Sequence, residues 1–227
     1  KMLDLAKVGP NDTVYDLGSG DGRTVITAAK RGARAFGIEY NPDMVELSKK
    51  HAKEAGASED RATFMKADLF ETDFSKATVV TMFLLPDINL KLRPKILDLK
   101  PGTRIVPNSF TMGEWDHDRS VQAGEKDGCQ SYCTAYLWIV PAKVGGTWHL
   151  PSGDLTVKQE FQKITGSIRN GGLETPIKGK LTGDQISFTA GAAQYSGSVS
   201  GNSIKGTVKN GTSSIEWTAS RTGKTGS

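Results

Sequence analysis

Residues Val14–Ile26 read "VYDLGSGDGRTVI", an apolar run, then Gly18, Gly20 and Gly22, then the start of a helical pattern. A strand, a glycine turn and a helix in that order leave the first helical N–H groups unpaired. Without Cβ atoms in the way, a ligand can approach the backbone there. Which ligand such a turn holds decides the chemistry of the chain.

Nicotinamide dinucleotides, nucleotide phosphates and S-adenosylmethionine all use turns of this kind. A dinucleotide fingerprint needs Gly-x-Gly-x-x-Gly or Ala. Gly18 and Gly20 fit it, but Arg23 takes the third place and Gly22 comes one position early. A phosphate loop needs Gly-Lys-Ser/Thr, which does not follow. Asp16 ends the first strand, where it would repel a pyrophosphate but can face a cationic methionine moiety directly or through water. Glu39 ends the second strand within reach of ribose hydroxyls, a feature shared with NAD proteins. Asp68, in "KADLF", either meets an adenine edge or caps its own turn. Ser19, Tyr40 and Leu69 adjoin these positions and join the cofactor-binding candidates.

Working outward, short β-branched runs alternate with helical periodicity from Thr13 to about Val106, as in a parallel sheet with crossover helices. "KMLDLAKV" reads as the end of a helix already under way, with something missing upstream. Strands are expected at "TVYDL", "RAFGIE", "RATFMKAD", "ATVVTMFLL" and "TRIVPNSF". Helices are expected at "GRTVITAAKRG", closed by Gly32, at "NPDMVELSKKHAKEAG", capped by Asn41 and Pro42 and ended by Gly56, and at "INLKLRPKILDL". Pro94 predicts a helix start or a kink. "GEWDHDRSVQ" and "SYCTAYLWIV" read as a hairpin around "AGEKDG". The fold class is therefore α/β, a doubly wound Rossmann-like sheet with an antiparallel final hairpin, followed by a small all-β meander or barrel-like module.

The second module begins after Pro141, giving domains at 1–141 and 142–227. Glycines concentrate there, and helical periodicity gives way to "LTVKQEFQKI", "GSIRN", "IKGKL", "QISFTA", "AQYSGSVS", "SIKGTVK" and "SIEWTAS". Gly201-Asn202 and Asn210-Gly211 are hairpin turn signals. Seven or eight strands are expected, packed around Trp148, Phe161, Ile168, Phe188, Tyr195 and Trp217. Residues 1–141 carry 19 Lys+Arg against 20 Asp+Glu, and residues 142–227 carry 10 against 5. The excess base thus lies wholly in the second module, where it serves solubility or an anionic partner. No apolar run is long enough to span a bilayer. A cytoplasmic location is expected, with an exported form still open because the start of the chain is missing. Cys129 and Cys133 lack two further ligands for a structural zinc site, so no metal is expected. A disulfide between them requires an oxidising compartment.

"MLDLAKVGPNDTVYDLGSGDGRTVITAAKRGARAFGIEYNP", with "TVVTMFLLPDINLKLRPKIL" and "GTRIVPNSF", resembles class I S-adenosylmethionine-dependent methyltransferases. The resemblance is to bacterial relatives of the mitochondrial lysine methyltransferases that modify the ATP synthase c-subunit and the adenine nucleotide translocase. It covers about Lys1 to Trp115 and excludes the β-rich tail. It implies S-adenosylmethionine as cofactor, with Asp16, Gly18 and Gly20 in the cofactor loop, Glu39 on the ribose and Asp68 near the adenine. It also places "FLLP", Phe83 to Pro86, beside the methyl group. Many amino methyltransferases carry Asn/Asp-Pro-Pro-Tyr there, whose polar side chain holds the nucleophilic nitrogen. Leu84 and Leu85 are apolar and offer no such bond. A Thr-Pro segment of the family lies upstream of Lys1.

Methyl transfer from a sulfonium is an in-line displacement whose charge disperses, so alignment in a dry pocket is the main requirement. The wall of Phe83, Leu84 and Pro86 suits that, and it favours the neutral amine of an entering lysine. Asn89 or Asp87 is placed to orient the amine, and Trp115 either lines the slot or packs in the core. The bland reading of "FLLP" is a buried strand running into a Pro-started loop. The leading expectation is N-methylation of a protein lysine. The rivals are transfer to a small molecule and a non-catalytic cofactor-binding module with a ligand-binding β domain. No nucleic-acid partner is expected, and the β module is expected to serve as a substrate or dimer contact.

Overall fold

β-Branched and aromatic residues at successive positions build β1 (Thr13–Leu17), and the strands after each helix pair beside it. The computed structural model describes residues 1–124 and 128–221. Contacts divide the chain into two units, Lys1–Val140 and Pro141–Ser227.

In the first unit, β1, β2 (Arg34–Glu39), β3 (Ala62–Lys66), β4 (Val79–Met82) and β5 (Arg104–Pro107) are parallel. β6 (Arg119–Gln122) and β7 (Thr134–Ile139) add antiparallel strands at one edge, in the order β3-β2-β1-β4-β5-β7-β6. The helices are α1 (Met2–Leu5), α2 (Arg23–Lys30), α3 (Pro42–Glu54) and α4 (Pro86–Leu97). Val25, Ile26, Ala28 and Ala29 of α2 and Val45 and Ala52 of α3 are buried, and the alanines among them let the helices lie close to the sheet. The strand order reverses between β1 and β4, which opens a crevice at their C-terminal ends.

The second unit is a closed antiparallel barrel of β8 (Gly146–Leu150), β9 (Gly153–Glu160), β10 (Lys163–Asn170), β11 (Leu173–Thr182), β12 (Gln185–Ala190), β13 (Ala193–Ser200), β14 (Ser203–Asn210) and β15 (Ser213–Ser220). Closure is made where Ser220 of β15 pairs with His149 of β8. Alternate residues turn inward, and Trp148, Leu155, Ile164, Leu181 and Ile204 are buried there. Phe188 lies opposite Gly179, and Trp217 opposite Gly206. A large ring over a glycine on the neighbouring strand lets the barrel curve and fill at once.

Several boundaries differ from the expected ones. β4 stops at Met82, so Phe83 to Leu85 leave the sheet, and Pro86 opens α4 rather than a loop. Pro94 lies inside α4, away from its start, the interior position at which a kink rather than a helix start was expected. Only Arg119–Gln122 of "GEWDHDRSVQ" is a strand, and the expected hairpin tip at residues 125–127 lies outside the described residues. "LTVKQEFQKI" is two strands joined by a turn at Phe161 and Gln162, where Phe161 takes φ +52° and is only half-buried. It is therefore a turn residue and not part of the barrel core. The last hairpin turns on Gly211 and Thr212, one position later than expected, because Asn210 still pairs with Ser213.

Candidate functional site

The glycine turn follows β1 directly. Gly18 and Gly22 have φ of +74° and +81°, a region that side chains disfavour. A Cβ at Gly18 would stand 2.8 Å from Leu84 Cδ2. The turn and the segment after β4 are thus in direct contact. A Cβ at Gly22 would meet the Phe64 ring at 2.7 Å and Ser48 Cβ at 2.9 Å. Gly22, one place early for a dinucleotide fingerprint, therefore supplies the close packing of α2 against β3 and α3. Arg23, in the fingerprint's third place, forks back onto Asp21 at 2.6 Å and holds that carboxyl below its ordinary range.

The turn is held from outside by residues that the sequence did not single out. Ser48 Oγ donates to the Gly20 carbonyl at 2.7 Å. His51 Nδ1 lies 3.0 Å from the Asp21 carbonyl oxygen, which makes Nδ1 the protonated ring nitrogen. One signal for Ser48 was available: with Val45 and Ala52 it shares the buried face of α3, and a polar residue on such a face needs a partner. Glu39 closes the other side, its two oxygens accepting from the Gly20 and Asn41 backbone N–H groups at 3.0 Å each.

Asp16 is buried at the end of β1, between Gly37 of β2 and Thr81 of β4 in the sheet register. Burial pushes its carboxyl up to about 7, and the charges of Asp21 and Glu39 act in the same direction. Thr81 Oγ1, donating at 2.6 Å, opposes the shift. A buried acid held so close to neutrality is suited to an incoming cation, which would favour its charged form.

Ser19 is buried within the turn, and its Oγ has no hydrogen-bond partner among the described residues. An open groove at the ends of β2 and β3 is lined by Tyr40, Asn41, Pro42, Lys66, Ala67 and Asp68. Asp68 Oδ1 accepts from the Phe70 N–H at 2.8 Å, so that oxygen caps its turn, while Leu69 beside it is half-buried. Asp16, the glycines, Ser19 and Glu39 thus meet at one turn, and Tyr40 and Asp68 share the adjoining groove.

After β4, Phe83 is 52% exposed, Leu84 packs on Gly18, and Pro86 is the first residue of α4. Asn89 is fully buried, and its Nδ2 donates to the Phe110 and Thr111 carbonyls at 3.4 and 3.3 Å. It supports the segment after β5 from behind instead of reaching the surface. Trp115 is buried too, and its carbonyl accepts from Trp138 Nε1 at 2.8 Å. That leaves the core role and removes the slot role.

The ANTKMT methyltransferase domain matches residues 16–119. A protein-lysine N-methyltransferase of Saccharolobus islandicus is 41% identical over 143 residues, which are 62% of this chain and 86% of that protein. The mouse ATP synthase c-subunit lysine N-methyltransferase is 37% identical over 112 residues, 49% of this chain and 45% of the mouse protein. The chain thus spans most of the first relative and under half of the second. Among solved structures, an RNA methyltransferase from Salinibacter ruber in complex with S-adenosyl-L-homocysteine is 49% identical, with a TM-score of 0.57. That likeness covers 63% of this chain and 90% of the other.

Proposed function

We propose, for a chain that belongs to the ANTKMT-type family of S-adenosylmethionine-dependent methyltransferases, that the acceptor is the side-chain amine of a protein lysine. The cofactor supplies a methyl group on a positively charged sulfur. Asp16 offers the buried carboxylate that a cation would restore to its charged form. The Gly18 to Gly22 backbone allows close approach, and Glu39, with further lone pairs on both oxygens, would receive ribose hydroxyls, while Ser19 Oγ lies buried against Gly37. Tyr40 and Asp68, which share one groove, would border the adenine, with Leu69 next to Asp68 in the chain.

The observation that carries the acceptor reading is the contact of Leu84 with Gly18. It puts an apolar wall against the cofactor turn, and Phe83 stands exposed beside it. An aliphatic stem suits such a wall. Exclusion of water there lowers the amine's pKa toward the neutral, nucleophilic form. With the cofactor bound, the amine nitrogen would bond to the methyl carbon as the carbon–sulfur bond breaks in line, and Leu84, packed on Gly18, would line that approach. The charge of residues 1–141, 19 basic against 20 acidic, favours a protein over a polyanion at this unit.

The RNA methyltransferase from Salinibacter ruber makes RNA the rival acceptor. Methyl-labelled S-adenosylmethionine, the protein and a cell extract decide between them. Label that protease releases and ribonuclease leaves in place supports a protein acceptor. Label released by ribonuclease, or carried by a small metabolite, overturns it.

A further inference from the structure

Three aromatic rings from three separate connections meet beside the wall. Phe83 follows β4, Phe110 follows β5, and Tyr132 lies in the loop before β7. Phe83 and Phe110 stack at 6.2 Å between centroids with their planes 16° apart. Tyr132 tilts onto both, at 5.6 Å from Phe83 and 5.8 Å from Phe110. Rings that pack on one another usually bury themselves, yet Phe83 is 52% and Tyr132 59% exposed.

The cluster is fixed from two sides. Buried Asn89 holds the carbonyls of Phe110 and Thr111. Tyr132 has φ +56°, a conformation disfavoured for a bulky residue, inside the five-residue loop closed by the Cys129–Cys133 disulfide. The bond restricts the backbone on both sides of Tyr132. The cluster also continues the acceptor wall, because Phe83 is bonded to Leu84, the residue that touches Gly18.

Aromatic faces carry negative potential and attract ammonium groups, while their bodies take up methylene chains. We propose that Phe83, Phe110 and Tyr132 form a platform that first receives the acceptor lysine as its ammonium, with Tyr132 set in place by the Cys129–Cys133 bond, before the amine passes its proton to water and advances along the Leu84 wall in neutral form. This rests on the lysine reading given above. Tyr132 is then a specificity-determining residue outside the cofactor turn. Its placement depends on redox conditions: two thiols of a dithiol reductant exchange with the disulfide, giving two cysteine thiols and the oxidised reductant, and the loop loses its closure.

The test uses choline and its neutral isostere 3,3-dimethylbutanol as probes, titrated into the full chain and followed by NMR of the aromatic protons. Choline should bind about threefold to tenfold more tightly than the alcohol. Tyr132→Phe should keep the preference and Tyr132→Ala should abolish it, with S-adenosylmethionine affinity by calorimetry unchanged in both. Dithiothreitol, or Cys129→Ser with Cys133→Ser, should reduce the preference as Tyr132→Ala does. Equal binding of the two probes, or a preference that survives Tyr132→Ala, overturns the platform. A preference unaffected by reduction overturns the role of the disulfide. A platform that prefers the cation in a protein whose label goes to RNA would leave the binding result standing and remove its assignment to lysine.

Discussion

Asp16 couples the site to pH. With its carboxyl raised to about 7, the folded chain without cofactor holds a proton that the unfolded chain has already released. Stability of the cofactor-free protein should therefore fall as pH rises from about 4 to about 7. In Asp16→Asn that part of the slope should disappear, as thermal melts across this range would read. Cofactor affinity runs the other way. Calorimetry should show S-adenosylmethionine binding tighten as pH passes from 6 to 8 in the natural chain, while Asp16→Asn binds on the order of tenfold to a hundredfold more weakly with no such trend. A variant that keeps the full pH trend would separate Asp16 from the cofactor's charge. Asp16 was visible in the sequence because an acid between an apolar strand and a glycine turn has few places to go. His51 was not, and Ser48 signalled only that it needed some partner, since the two stand 30 and 28 residues from the carbonyls they hold. Only folding α3 across the turn brings them there.

The turn and its neighbouring elements show how little room the site leaves. Gly20 and Gly22 both have positive φ, but a Cβ at Gly20 would meet open space while one at Gly22 would collide with Phe64 and Ser48. Gly20→Ala should cost about 1–2 kcal/mol from backbone conformation alone. Gly22→Ala should cost about 2–5 kcal/mol, because overpacking between α2, α3 and β3 is added to it. Denaturant unfolding would measure both, and equal costs would contradict the close approach. Strands and helices were legible where one periodicity ran uninterrupted, as in "RAFGIE" and "AQYSGSVS", both of which match their strands in full. Boundaries set by tertiary contacts were less legible. "ATVVTMFLL" looks like one apolar run, but Leu84 turns out of the sheet to pack on Gly18, a contact without a local signature. "LTVKQEFQKI" hides a hairpin because Phe161, unlike glycine or asparagine, gives no sign of adopting φ +52°.

At the scale of the molecule, each unit has its own buried core, one built on β1 and its helices and the other on the inward residues of the barrel. Calorimetric unfolding should resolve two transitions. S-Adenosylhomocysteine at a hundred times its dissociation constant should stabilise only the first unit, by about 2.7 kcal/mol. A ligand-induced shift of both transitions would contradict independent cores. The sequence announced the barrel through the density of glycines and hairpin turns after Pro141. Its closure was open between an open meander and a barrel, because the pairing of β15 with β8 joins strands far apart in the chain. The cofactor was legible from one turn and two acids. The platform proposed for the acceptor draws on side chains from three connections that only the fold assembles. The most direct measurement is therefore made on the acceptor: complete hydrolysis of the macromolecule labelled by the protein and methyl-labelled S-adenosylmethionine, with the labelled product identified by mass spectrometry. We expect Nε-methylated lysine; label recovered in a methylated nucleoside, with none in lysine, would contradict the account.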